Sequence, residues 1–118
     1  MSATTDLMTA NLFEVFGERD AAARRLAIER VFAPDVVFHD AEGDEHGHDG
    51  IDGKVAGLLA GAPADWVFAV ESPAVEVADL GRVGWSFGPP GAPVVHGMDI
   101  ALVSSGRITT IWTVVEPS

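Results

Sequence analysis

The sequence contains no cysteine, so disulfides, zinc-thiolate sites and thiol nucleophiles are excluded together. Basic residues are scarce: seven Lys plus Arg stand against 18 Asp plus Glu, a net charge of -11. Such a surface repels phosphate backbones and anionic bilayers, which sets nucleic acid and membrane aside as partners. No apolar run approaches the roughly 20 residues that cross a bilayer, and the opening MSATTDLMTAN has neither the basic start nor the apolar segment of a signal peptide. The expected location is the cytoplasm. Gly-rich phosphate loops, Ser-His-Asp sets and nucleotide motifs are also missing.

What is present is a 118-residue chain that is 47% hydrophobic. That fits a single domain over residues 1–118, burying roughly two thirds of its unfolded surface. Its order is helical first. Thr4 or Thr5 can cap a helix in which Met8, Leu12 and Phe16 recur at a spacing of four, with Phe13 and Val15 widening the stripe, until Gly17. Asp20 caps a second helix with Ala27, Ile28, Val31 and Phe32 on one face, Arg24, Arg25, Glu29 and Arg30 on the other, and Pro34 ending it. A strand is expected at Val36 to His39, then an acidic loop, then a Gly-weakened helix starting near Asp49 that carries Ile51, Val55, Leu58 and Leu59.

From Ala64 the period changes to two. Trp66, Phe68 and Val70 alternate before Ser72-Pro73 breaks the run. Ala74 to Leu80 and Arg82 to Phe87 are expected to pair across Gly81. GPPGAP, Gly88 to Pro93, reads as a loop because its prolines cannot donate to a ladder. Val94 to Val103 and Arg107 to Glu116 complete the chain. Three helices followed by an antiparallel sheet is an α+β order, with the helices closing over one face.

This order, carried by VVFHD (Val36 to Asp40) after Ala33-Pro34-Asp35, by GHDGI (Gly47 to Ile51) and by SSGRITTIW (Ser104 to Trp112), resembles the nuclear transport factor 2-like superfamily, including its SnoaL-like polyketide cyclases and ketosteroid isomerases. The resemblance covers nearly the whole chain. It implies a cone-shaped, curved antiparallel sheet with the three N-terminal helices over its concave face, a cystatin-like α+β barrel around an apolar pocket, and dimers through the sheet's outer face. Exposed apolar positions such as Ile108 or Ile111 would suit that contact. The resemblance also places a catalytic base at Asp40 and sets His96 where the isomerases hold a protonated Asp. Those isomerases draw a Tyr from the first helix; this chain has none, and Leu12 and Phe13 stand there. The epoxide hydrolases of the superfamily need a second acid on the last strand, where Thr113 stands. SnoaL-like cyclases use an Asp and a His around a polyketide.

Read from the residues, Asp40 is the first charge after the apolar run Val36, Val37 and Phe38, and if its face is concave an apolar setting would favour its neutral form and make it a better base; the alternative is a solvated strand-end carboxylate or a helper for the loop's backbone. Alternation on the fifth strand puts Val94, His96, Met98, Ile100 and Leu102 on one face and Asp99 on the other. His96 is then either a core histidine bonded to backbone or a pocket acid, base or donor. Asp99 reads as a structural partner of His39 or Arg107 that orients the sheet, with catalytic use as the alternative. His46 and His48 beside Asp44 and Asp49 read as a solvated loop or a helix N-cap, with a metal site as the alternative. Phe13, Phe16, Phe38, Phe68, Trp85, Met98 and Trp112 are the candidate walls of a pocket for a greasy small molecule. The expectation is a cofactor-free, metal-free isomerase, cyclase or lyase acting by general acid/base chemistry on a hydrophobic carbonyl compound, with Asp40 and His96 as catalytic pair. The alternative is a non-catalytic ligand-binding or dimeric assembly module of the same fold.

Overall fold

Asp20 starts the second helix as its sequence demands: its carboxylate accepts the backbone N–H of Ala23 at 2.8 Å, satisfying one of the N-terminal donors that a helix cannot pair internally. The computed structural model, which describes residues 3–117, has α1 at Ala3–Ala10, a π-helical segment at Asn11–Phe16, α2 at Ala21–Val31 and α3 at Gly47–Gly61. Six strands follow the helices or lie between them: β1 Phe32–Asp40, β2 Gly43–His46, β3 Val67–Val77, β4 Leu80–Gly88, β5 Val95–Ser104 and β6 Arg107–Val115. Thr4 and Thr5 lie inside α1 rather than ahead of it.

The strands form one open sheet in the order β2-β1-β6-β5-β4-β3. The α+β class is as expected, but the sheet is mixed, because β1 runs parallel to β6, with Phe38 opposite Ile111 and His39 opposite Trp112. The register shifts between Phe32 and Val37, the stretch that contains Pro34, which has no N–H to give. Further shifts fall at Ser72 in β3 and at Leu102 in β5. Irregularities of this kind bend strands and curl a sheet towards one face.

Two boundaries differ from expectation for local reasons. Ser72-Pro73 does not end a strand: β3 runs through it as a bulge, and the turn to β4 is Ala78-Asp79, with Ala78 at φ 52°. The acidic loop contains β2, which pairs with β1 from Val37↔His46 to Asp40↔Gly43. Its four residues carry two acids and no β-branched side chain, so propensity did not disclose it.

The helices pack on the inner face. Met8 and Thr4 of α1 sit over Gly81, where a side chain would collide with both at 2.9 Å. Met8, Leu12, Ile28, Val31, Phe32, Val36, Phe38, Ile51 and Val55 are fully buried between the layers. Ile108 and Ile111 belong to this core, correcting their assignment to the outer surface. Arg24, placed on the solvent face of α2 by the sequence, is buried. Its Nε lies 2.7 Å from Asp52 on α3 and its Nη1 donates to the carbonyl of Glu18, so it ties three segments together. Among the described residues no helix is long and apolar enough to cross a membrane.

Candidate functional site

Pairing fixes which residues share the concave face. Trp85 stands opposite Gly97, Phe87 opposite Val95, Asp99 opposite Thr113 and Ala101 opposite Ile111, and directly opposed residues of a ladder point to the same side. This face, with the helices above it, encloses a cavity of about 550 Å³. Its walls include Phe16 from the π-helical segment, Phe38 from β1, Phe68 from β3 and Trp85 and Phe87 from β4, with Trp66 just before β3. The rings touch in sequence: Trp66–Phe87, Phe87–Phe68, Phe68–Trp85 and Phe16–Phe38 have centroids 5.3, 4.2, 5.6 and 5.9 Å apart.

Four of the seven candidate wall residues, Phe16, Phe38, Phe68 and Trp85, do line this cavity. Three do not. Phe13 is 43% exposed and borders a shallower depression beside Arg19. The wider π turn points Asn11, Leu12, Val15 and Phe16 inward instead. Met98 and Trp112 lie on the opposite side of the sheet, Met98 beside Val114 and Trp112 stacked on His39 at 5.4 Å.

His96 shares that outer side. It is outside the cavity, and its Nδ1 lies 2.5 Å from the Glu71 carboxylate, which raises its pKa. The inner face of β5 is the other set of alternating residues, so the polar group it offers is Asp99. Asp99 is 4% exposed and lines the cavity. Its Oδ1 accepts Trp85 Nε1–H at 3.0 Å and Thr113 Oγ1–H at 2.8 Å, while Oδ2 has only the Asn11 amide nitrogen at 3.5 Å. Burial pushes its pKa up to about 6, against the opposing pull of the Thr113 and Trp85 hydrogen bonds. It pairs with neither expected partner: His39 binds Asp44 at 2.7 Å, and Arg107 donates to the carbonyl of Glu29.

Gly97 makes this arrangement possible. The Trp85 ring lies across it, closer than 3 Å to where a β-carbon would be, and so delivers its N–H to Asp99 two residues along the strand. Asn11, buried beside Asp99, has an amide oxygen with no partner.

Asp40, at the end of β1, lines the cavity, but not in an apolar setting. Its Oδ2 is 2.7 Å from Lys54 Nζ on α3, and its Oδ1 accepts the backbone N–H of Glu42 at 2.9 Å. Lys54, the single lysine of the chain, also contacts the Glu42 carboxylate, and the two acids raise its pKa, Asp40 foremost. Sequence reasoning missed Lys54. The available signal was a lone lysine following six acids, Asp40, Glu42, Asp44, Glu45, Asp49 and Asp52.

The His46 and His48 loop is used structurally. His48 Nε2 donates to the carbonyl of Phe32 at 2.9 Å, and Asp49 binds Arg25 rather than capping α3. His46 occupies the N-cap position without a side-chain bond. Among the described residues there is no group of three or more His, Asp or Glu placed to hold a metal.

The model of the SnoaL-like domain family matches residues 9–111. No functionally curated protein matches the sequence. Among solved structures, a candidate isomerase of the SnoaL-like family from Agrobacterium tumefaciens superposes with a TM-score of 0.88 at 19% identity, covering 99% of this chain and 100% of that one. A candidate polyketide cyclase from Sinorhizobium meliloti gives 0.69 at 19% identity, covering 96% and 99%. A protein with a ketosteroid isomerase-like fold from Catenulispora acidiphila, in complex with trimethylamine, gives 0.72 at 20% identity, covering 93% and 85%.

Proposed function

This chain belongs to the SnoaL-like domain family, and from its cavity we propose that it is a cofactor-free acid/base enzyme acting on a small, largely apolar carbonyl compound. The observation that carries the reading is Asp99, a buried carboxyl in an aromatic-walled cavity whose pKa of about 6 leaves it charged, yet a competent base, near neutral pH. Because Oδ1 is occupied by Trp85 and Thr113, Oδ2 is the oxygen that takes the proton. Asp99 removes a proton from the carbon beside the carbonyl, the C–H electron pair becomes the enolate, and Asp99, its proton exchanging with solvent while the enolate is bound, returns a proton to a carbon of the enolate. Lys54 is the cation at the mouth. Two of its N–H groups are held by Asp40 and Glu42, and the third is free to donate to the developing oxyanion. Asp40 is thereby a positioning residue, and His96 takes no part.

The test uses 2-tetralone, a flat apolar ketone, in deuterated buffer. The wild-type protein is expected to speed α-hydrogen exchange above the buffer rate, with activity rising as pH passes 6. Asp99→Asn should abolish the exchange while ketone binding, read by quenching of cavity tryptophans, persists. Exchange that survives in Asp99→Asn overturns the assignment.

The outer face of the sheet supports a second proposal, association with another copy of the chain. Leu80, Leu102, Trp112 and Val114 are exposed there, in cross-strand contact with Ile100 and Met98. Arg82 stands beside Ile100 in this patch, and the His96–Glu71 pair lies on the same face. Two copies of a chain with net charge -11 can meet through the apolar part of this patch, where Glu71 is paired with His96.

A further inference from the structure

The charges and the walls of the cavity together restrict what it holds. Its ionisable lining consists of Asp99 on β5, Asp40 at the end of β1, Glu42 in the following turn and Lys54 on α3. The lysine is neutralised by the two acids at the mouth. What remains is negative: one carboxylate at the mouth and, in its ionised form, Asp99 deeper in. The groups facing Asp99 are Trp85 from β4, Thr113 from β6 and Asn11 from the π-helical segment, none of them cationic. Among the described residues no Arg or His lines the cavity.

The same cavity is lined by the rings of Phe16, Phe38, Trp66, Phe68, Trp85 and Phe87, of which Trp85 is bonded to Asp99. Aromatic faces attract a cation whose centre lies within about 6 Å, most strongly where water is excluded. An anionic ligand would meet uncompensated negative charge in a low-dielectric setting, and a neutral one would gain nothing from it. We infer that the cavity is selective for an apolar organic cation, an alkylammonium group enclosed by the aromatic walls with Asp99 as its counter-ion. The inference rests on the proposed function only in taking this cavity as the ligand site; it names the charge of the substrate.

Phenyltrimethylammonium and tert-butylbenzene have nearly the same shape and differ in charge, so their affinities, measured by quenching of cavity tryptophan fluorescence, isolate the electrostatic part. At pH 8 the cation is expected to bind at least about tenfold more tightly than the hydrocarbon, in line with a desolvated cation–aromatic contact plus a counter-ion. The preference should shrink at pH 5, where Asp99 gains its proton. Asp99→Asn should reduce the preference at pH 8 to the part that the rings supply and make it the same at both pH values; the pH series on the wild-type protein supplies the same comparison should that variant not fold. Equal affinity for the two probes at pH 8 overturns the inference while leaving the acid/base reading to the exchange experiment. A preference in Asp99→Asn as large as that of the wild-type protein at pH 8 overturns the role of that carboxylate. Failure of both probes to bind overturns the inference and the ligand site together.

Discussion

Trp85 donates its indole N–H to Oδ1 of Asp99 at 3.0 Å, across a strand position where only a glycine leaves room for the ring. This hydrogen bond opposes the burial that raises the Asp99 pKa, as does the one from Thr113. Removing either donor therefore moves the pKa further up. Trp85→Phe and Thr113→Val should each shift the Asp99 titration above its value of about 6, followed by carbon NMR of aspartate-labelled protein. A downward shift would mean that the donors bind the acid form.

The raised pKa also has a sign in stability. The fold favours protonated Asp99, so that contribution is complete below the ordinary carboxylate value of 3.8 and is lost as pH rises through about 6. Each tenfold change in proton affinity is worth about 1.4 kcal/mol, so the loss is on the order of 3 kcal/mol. Asp99→Asn does not titrate, so its stability relative to wild type should improve by that order between pH 3.5 and pH 8, measured by urea unfolding. Other titrating groups, including the His96–Glu71 pair, cancel in the difference between the two proteins.

Gly97→Ala tests the close approach. Its β-carbon would lie 2.4 Å from the Trp85 ring, which must move. A destabilisation of about 1–3 kcal/mol is expected from overpacking, together with an upward shift of the Asp99 pKa as the indole donor leaves. Loss of stability with no change in that titration would separate the glycine from the Asp99 arrangement.

Association through the outer face is tested by Trp112→Asp. Light scattering should show a dimer for the wild-type protein and a monomer for the variant, with ligand binding in the cavity retained because Trp112 lies on the opposite side. An unchanged dimer would move the interface elsewhere.

Much of the architecture was legible because it depends on spacing and punctuation. The Asp20 cap, the stripe of α2 and the Ser105-Gly106 turn, whose residues both take positive φ, follow from local chemistry. The site was less legible for a specific reason. Period-two alternation in β5 separates two faces but does not say which one is inside. The greasier set, with Met98, Ile100 and Leu102, looked like the interior, and it carries His96. A cavity needs space, so its floor is the set with Gly97 and Ala101, and that set carries Asp99. The pairing of Asp40 with Lys54 depends on a contact between β1 and α3 that no local pattern encodes.

The parallel pairing of β1 with β6 brings residues 32–39 against residues 108–112, nearly the two ends of the strand-bearing chain. Contacts of such long sequence separation carry a large loop-closure cost and slow the folding search. During synthesis β1 has no link to the β3–β4–β5 part of the sheet until β6 arrives between β1 and β5. The cavity, which Phe38 of β1 and Thr113 of β6 help to line, is consequently a late product of translation, and an N-terminal fragment ending before Arg107 would leave the apolar inner side of β1 open to chaperones and proteases.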